Sequence, residues 1–373
     1  METLALTKKL VSIPSISGEE NSIQDYLFDL LSNNFSPRRV RAGKSYNIVC
    51  DSGNGKGGVL LNSHIDTVPM PSDERRNSLI PKVSGGKLFG LGACDQKAGA
   101  AIHINSFVNL SEKAQGKIRL ALVVEEENYS EGTYELAKRG LLKGGFSLAL
   151  FSEPTDLSGT GKNPLLVVGC RGRVGIDVKI SGQASHSAVG KGVNAIEEGA
   201  KFVLATRRIR TKKNPEMGRG SANIGSITGG NYSLSQPAES SFRLNWSTVL
   251  GETPDYCMGE MRRVLSDVRS PAEFTAEFIK RPTPPCLPFL TKGPIVEFAK
   301  AAFREEGISP KTLVFGSVFD GSITANLGKI PTLCIGPAGK NIHGAGEFVW
   351  IESIGKAERI TKRTIMSVLA REN

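Results

Sequence analysis

The chain has 373 residues, of which 39% are hydrophobic and 23% charged, with a net charge of +10. At ~150 residues per domain this length means two domains or three, each able to bury an ordinary core. No apolar run approaches the ~18 residues that span a membrane, and the start METLALTKKLVSIPSISGEE has no apolar signal core, so a cytoplasmic location is the default.

The basic residues are scattered. The one dense run, 207–213 (RRIRTKK), closes a predicted helix, where cations have a local electrostatic reason to sit. No basic strand is interleaved with aromatic residues, which argues against nucleic acid as a partner. The six cysteines form no CxxC pair and read as reduced, buried thiols.

In chain order, residues 1–12 and 21–33 pattern as amphipathic helices, and 47–50 as a short strand. Residues 59–63 are apolar enough for a buried strand, which ends on His64, Ile65 and Asp66. Side chains two apart on an extended chain share a side. An imidazole with a carboxylate beside it suits a metal ligand and its orienting partner; a strand-end histidine on a surface loop is the other reading. Residues 70–94 are loop-rich, and Asp95 opens a helix predicted over 96–110. The run 118–124 (IRLALVV) is a strand of the buried parallel type, ending in Glu125, Glu126 and Glu127. A helix near 131–141 and a strand over 147–152 follow, the latter ending at Glu153. This alternation predicts an α/β domain with a mainly parallel sheet and helices on both faces. In such sheets ligands gather beyond the carboxyl ends of the strands.

The pattern changes near residue 170. A strand over 174–180, a helix over 195–209, strands over 222–228 and 241–249, a helix over 253–267 and a strand over 272–279 follow. That is the βαββαβ order of a ferredoxin-like domain. RPTPPCLP (281–288) reads as a linker, after which a helix (294–306), strands (311–315 and 331–335) and a final helix (352–371) resume the first domain. Residues 172–283 are thus expected as an insertion between 1–171 and 284–373.

His64, Asp95, Glu127, Glu153 and His343 are the candidate ligands, His343 in the loop GPAGKNIHGAGEF. Two imidazoles and three carboxylates suit a pair of divalent ions such as zinc, cobalt or manganese. Glu126 is the spare acid that hydrolysis needs and mere binding does not. His103, in the helix AAIHINSF, matches no motif and reads as a packing or surface histidine.

These segments resemble the cocatalytic zinc metallopeptidase family of acetylornithine deacetylase, succinyl-diaminopimelate desuccinylase, aminoacylase-1 and glutamate carboxypeptidase. The likeness runs through VSIPSISGEE, HIDTVP, GLGACDQKAG, VVEEE, SEPT, ASHSAVGKGVNAI, ANIGSITGG and IGPAGKNIHGAGEF, nearly the whole length. It implies that Asp95 bridges two metals, most plausibly zinc, that His64 and Glu153 complete the first site, and that Glu127 and His343 complete the second. It implies Asp66 behind His64, Glu126 as general base to a metal-activated water, a cis peptide after Asp95, and an inserted lid whose His186 stabilises the oxyanion. It also implies a homodimer formed through the lid.

The chain departs from the family in the lid. Where the family carries an Asn and an Arg that hold the substrate's carboxylate, this chain has Leu234 and Ser247. Arg171 is the first substitute, with Arg173 and Arg243 behind it. The expected activity is hydrolysis of a small N-acyl amino acid. A di- or tripeptidase or carboxypeptidase of the same family is the alternative, and a non-catalytic amino-acid or metal-binding relative is the alternative of another class. The charge is also compatible with a substrate tethered to an acidic carrier protein.

Overall fold

The computed structural model describes residues 2–54, 57–70, 77–112 and 116–371. Residues 71–76 of the loop-rich stretch lie outside them. The chain divides into two compact units, Met1–Gly169 with Leu290–Phe315 and Phe319–Asn373, and Cys170–Phe289 with Gly316–Val318.

The first unit is built on a nine-stranded sheet. At its centre the strands Ile118–Val123, Val59–His64, Leu148–Phe151 and Thr332–Cys334 lie side by side in parallel. The Val59–His64 and Ile118–Val123 strands are buried at every position, as expected for strands covered on both faces. Two consecutive residues show which helices do the covering. Ser63 bonds to His103 of the Ala98–Leu110 helix, whereas Asn62 bonds to Thr133 of the Glu131–Lys138 helix. Neighbours on a strand point to opposite faces, so these helices lie on opposite sides of the sheet.

The sheet is mixed, which corrects the expectation of a mainly parallel one. The strands Arg38–Ala42 and Ser45–Ser52 form an antiparallel hairpin, and the second of them runs antiparallel to Ile118–Val123. Only two residues, Gly43 and Lys44, join the hairpin strands, and a parallel crossover needs about a dozen or more. Gly43 takes the left-handed φ of 51° that so short a turn demands.

The second unit has a four-stranded antiparallel sheet in the order Ser221–Gly229, Glu239–Thr248, Gly172–Ser181, Glu273–Phe278. Burial alternates along Gly172–Ser181 and Glu239–Thr248, so each strand offers one face to a core. Val174, Ile176, Val178, Phe242, Leu244 and Trp246 fill that core, with Phe202, Met258 and Met261 from the helices Ala195–Ala205 and Pro254–Ser266. Both helices start on a side-chain cap, Asn194 accepting from the Ile196 N–H and Thr253 from the Tyr256 N–H. Among the described residues, no helix is long and apolar enough to cross a membrane.

Candidate metal centre

His64 ends its strand at the carboxyl edge of the parallel core and is buried. Its Nδ1 lies 3.1 Å from the Asp66 carbonyl oxygen and 3.4 Å from Asp66 Oδ1. With Nδ1 turned to Asp66, Nε2 is the nitrogen left for the ligand group, 3.3 Å from Asp95 Oδ1 and 3.6 Å from Glu153 Oε2.

Asp66 also does something that its spacing from His64 does not reveal. Its Oδ1 accepts from the Glu126 N–H (3.2 Å) and its Oδ2 from the Glu127 N–H (3.1 Å) and Ser17 Oγ (2.7 Å). The carboxylate thus caps the free amides at the start of the Glu126–Tyr129 helical turn. Glu125 and Ser130 flank that turn at φ 58° and 57°, left-handed positions that a non-glycine residue adopts only under tertiary restraint. The restraint at the far end includes Asp320, whose Oδ2 accepts from Thr133 Oγ1 at 2.5 Å.

Asp95 lies in the Ala93–Lys97 turn, ahead of the Ala98–Leu110 helix, and the Asp95–Gln96 peptide is cis. The turn is held by Glu347. Glu347 Oε1 accepts from the Cys94 and Asp95 amides (2.8 and 3.0 Å) and Oε2 from the Gly92 amide (2.8 Å). Gly92 itself sits at φ 72°, and a Cβ there would meet Thr67 Cγ2 at 2.7 Å. Gln96 Nε2 donates to Glu153 Oε1 at 2.5 Å, leaving Glu153 Oε2 toward His64.

His343 projects from the loop before the Phe348–Trp350 strand. Its Nε2 is 3.1 Å from Asp95 Oδ2 and 3.0 Å from Glu127 Oε2. Two ligand groups result, His64–Asp95–Glu153 and Asp95–Glu127–His343, the donor atoms of each lying within 4.8 Å of one another. Asp95 belongs to both, one oxygen to each.

The electrostatics fit divalent cations. Asp95, Glu127 and Glu153 form ion pairs with imidazoles only, and no Lys or Arg pairs with them among the described residues. Burial, with Asp95 and Asp320 nearby, pushes Glu153 up to about 7. Burial also raises Glu127. It opposes charge on His64, yet Glu153, Asp66 and Asp95 hold that imidazole's proton affinity well above the ordinary value. Hydrogen bonds to Asp95 and Glu127 push His343 up to about 10. Protons on the two imidazoles therefore supply the positive charge that the carboxylates need. Divalent ions would take over that charge and free both imidazoles as neutral nitrogen donors.

Glu126, the residue before Glu127, belongs to neither group, and burial drives its carboxyl well above the usual range. The other expected site residues belong to the second unit. His186 is exposed on the short Ser185–His186 strand, its Nδ1 accepting from the Ala188 N–H. Arg171 spends its Nε and Nη2 on the Met217 carbonyl (3.0 and 2.6 Å). Arg243 pairs with Asp177, and Arg173 stands directly across from Ser247 in the strand register.

Sequence reasoning missed Ser17, Gln96, Asp320 and Glu347. Ser17 and Glu347 lie inside matched segments (SISGEE and HGAGEF) and were open to notice. Nothing local marks Asp320, whose partner Thr133 is 187 positions away. The reading of His103 as a packing or surface residue is half corrected, because the ring is fully buried.

Residues 60–367 match the model of peptidase family M20/M25/M40. A succinyl-diaminopimelate desuccinylase of Nitrosospira multiformis is 26% identical over 392 aligned positions, covering 100% of this chain and 99% of that one. A [LysW]-lysine/[LysW]-ornithine hydrolase of Sulfurisphaera tokodaii is 30% identical, covering 54% of this chain and 52% of that one. The chain thus spans only about half the length of several curated relatives that it matches. Among solved structures, a tripeptidase of Staphylococcus aureus superposes with a TM-score of 0.79 at 25% identity, covering 99% of this chain and 98% of that one. A family model spanning most of the chain, over a fold that superposes end to end, leaves one conclusion: the chain belongs to peptidase family M20/M25/M40.

Proposed function

We propose that this chain is a two-metal-dependent hydrolase that cleaves the amide bond of a small N-acyl amino acid. The observation that carries this reading is Asp95 shared between two ligand groups, with Glu126 beside them and in neither. His64, Asp95 and Glu153 would hold the first ion and Asp95, Glu127 and His343 the second, most plausibly zinc, with cobalt or manganese as alternatives. Bound ions would lower the proton affinity of a water toward a pKa of about 7 and polarise the amide carbonyl.

Glu126 takes the proton as the water oxygen attacks the carbonyl carbon. It returns that proton to the nitrogen as the C–N bond breaks, so the amine leaves neutral. Asp66 serves twice, fixing the His64 tautomer through Nδ1 and holding the Glu126–Tyr129 turn through its amides. Residues 172–283, within the second unit, are our proposed inserted lid, with His186 donating to the oxyanion. Arg171, through its remaining Nη1, or Arg173 would meet a substrate carboxylate in place of the residues replaced by Leu234 and Ser247.

A di- or tripeptidase is the second reading, favoured by the likeness to a tripeptidase over 99% of the chain. The net charge of +10 and the likeness to a hydrolase of LysW-linked amino acids support a third, a substrate borne on an acidic carrier protein. We place the protein in the cytoplasm, in keeping with six free, buried cysteines.

The deciding experiment is a metal assay with and without chelator, coupled to hydrolysis of N-acetyl and N-succinyl amino acids, dipeptides and tripeptides. Two ions per chain with chelator-sensitive release of a free amino acid from an N-acyl substrate are expected. Cleavage of tripeptides alone moves the protein to the peptidase reading, and absence of bound metal after supplementation sinks the site.

The lid also supports a homodimer. The Ser221–Gly229 strand lies at one edge of its sheet, and an unpaired strand edge invites a second chain. Ile227 on that edge is 58% exposed and Tyr232, in the turn that follows, 63%. Ile227→Lys puts like charges together across a two-fold axis. It is expected to shift the protein to monomer in sedimentation, with its circular-dichroism spectrum unchanged. A wild-type protein that sediments as a monomer removes the idea.

A further inference from the structure

His103 lies under the first ligand group, and the function described above leaves it without a role. Its ring is fully buried, as are Ser63 and Ser152. Nδ1 is 2.8 Å from Ser63 Oγ and Nε2 is 2.8 Å from Ser152 Oγ. Ser63 immediately precedes His64 and Ser152 immediately precedes Glu153. Ser63 is next to last in its strand and Ser152 follows the end of the neighbouring parallel strand, the two strands being paired in register at Asn62 and Phe151. Burial pushes the His103 imidazole down to about 3, so it stays neutral, with one donor and one acceptor. A serine hydroxyl can donate or accept, so the ring satisfies both serines at once and leaves neither of its nitrogens unpaired.

One side chain thus links the chain positions that set His64 and Glu153, the two ligands that belong to the first group alone. Glu127 and His343 come from the Glu126–Tyr129 turn and the loop before Phe348, and His103 bonds to neither. We propose that His103 is a positioning residue for the first metal site, a neutral clamp that sets the spacing of His64 and Glu153 and acts little on the second site. The proposal rests on the two-metal reading.

The test separates the sites. Cobalt(II) is titrated into metal-free protein, followed by its visible absorbance. The titration uses a His343→Ala background, which keeps the first group, and a Glu153→Ala background, which keeps the second. His103→Phe fills the space without hydrogen bonding. It is expected to weaken cobalt binding about 10–100-fold in the first background and less than ~3-fold in the second. His103→Gln, which restores a donor and an acceptor, is expected to recover most of the loss. Equal weakening in both backgrounds, or none in the first, overturns the proposal. Should His103→Phe fail to fold, Ser63→Ala and Ser152→Ala each break one bond. Each must then show the same preference for the first site, and indifference in both would overturn the clamp. If wild-type protein binds fewer than two cobalt ions, the two-metal reading itself falls and the clamp with it.

Discussion

Glu126→Gln is expected to lower kcat about 10²–10⁴-fold, the usual worth of a general base, while the protein keeps its metals. The second half of that statement is what makes the test sharp. Glu126 is outside both ligand groups, and its backbone N–H, not its side chain, is what Asp66 holds. Gln has the same shape and no charge. Burial already disfavours the Glu126 carboxylate, and Asp320, Glu153 and Glu127 repel it. Gln copies the neutral form that this setting favours, so the thermal melt is expected to hold steady. Turnover, metal content and melting temperature measured on one preparation decide the matter. Loss of activity together with metal, or with several degrees of stability, would make Glu126 structural instead. Full activity in the variant would remove it from the mechanism.

Asp95→Ala has the other large effect, and it differs in kind. Asp95 is the one residue common to both groups, with Oδ1 toward His64 and Oδ2 toward His343. Without it each group keeps two donors, His64 with Glu153 and Glu127 with His343. Two donors make a poor cage for a divalent ion, so bound metal is expected to fall from two per chain toward none, and turnover to background. Glu153→Ala and His343→Ala strip one group each and are expected to lose one ion each. The contrast between double and single loss, read by elemental analysis after gel filtration, tests the bridge. Retention of one tight ion in Asp95→Ala would show two independent sites instead. The Asp95 main chain is not expected to move, because Glu347 grips its amide, and this remains in the variant.

How much of this could be read in advance varies with the range of the contact. His64, the Glu125–Glu127 run and Glu153 each follow an apolar run, and apolar runs betray buried strands. The division into two groups that share Asp95 came from the resemblance alone, whereas the meeting of these residues at one sheet edge follows from parallel pairing and was legible. The antiparallel flank was not, since Ser45–Ser52 is as apolar as a parallel strand and only its two-residue link to Arg38–Ala42 reveals the direction. Side-chain partners across the fold were hidden as well. The Glu347 bonds to Gly92, Cys94 and Asp95 span more than 250 positions, and no local pattern encodes them. For Arg171, sequence shows the charge and hides that its Nε and Nη2 are engaged. The carbonyl of Met217 that occupies it belongs to a turn 46 positions away. His103 was passed over for a similar reason: its helix advertises packing, while its two serines lie on strands far off in the chain.

The grip of Glu347 on the Asp95 turn bears on the order in which the molecule comes into being. Synthesis delivers His64, Asp95, Glu127 and Glu153 early, then the whole Cys170–Phe289 unit, and only afterwards the Thr332–Cys334 strand, His343 and Glu347. A nascent chain short of these last pieces leaves the outer side of Leu148–Phe151 without its parallel neighbour and the amides of Gly92, Cys94 and Asp95 without their acceptor. The early carboxylates then sit together with neither His343 nor an ordered bridge between them. The centre is therefore closed by the segment that follows the Cys170–Phe289 unit, and an ion would meet its full set of donors only once that later segment is in place.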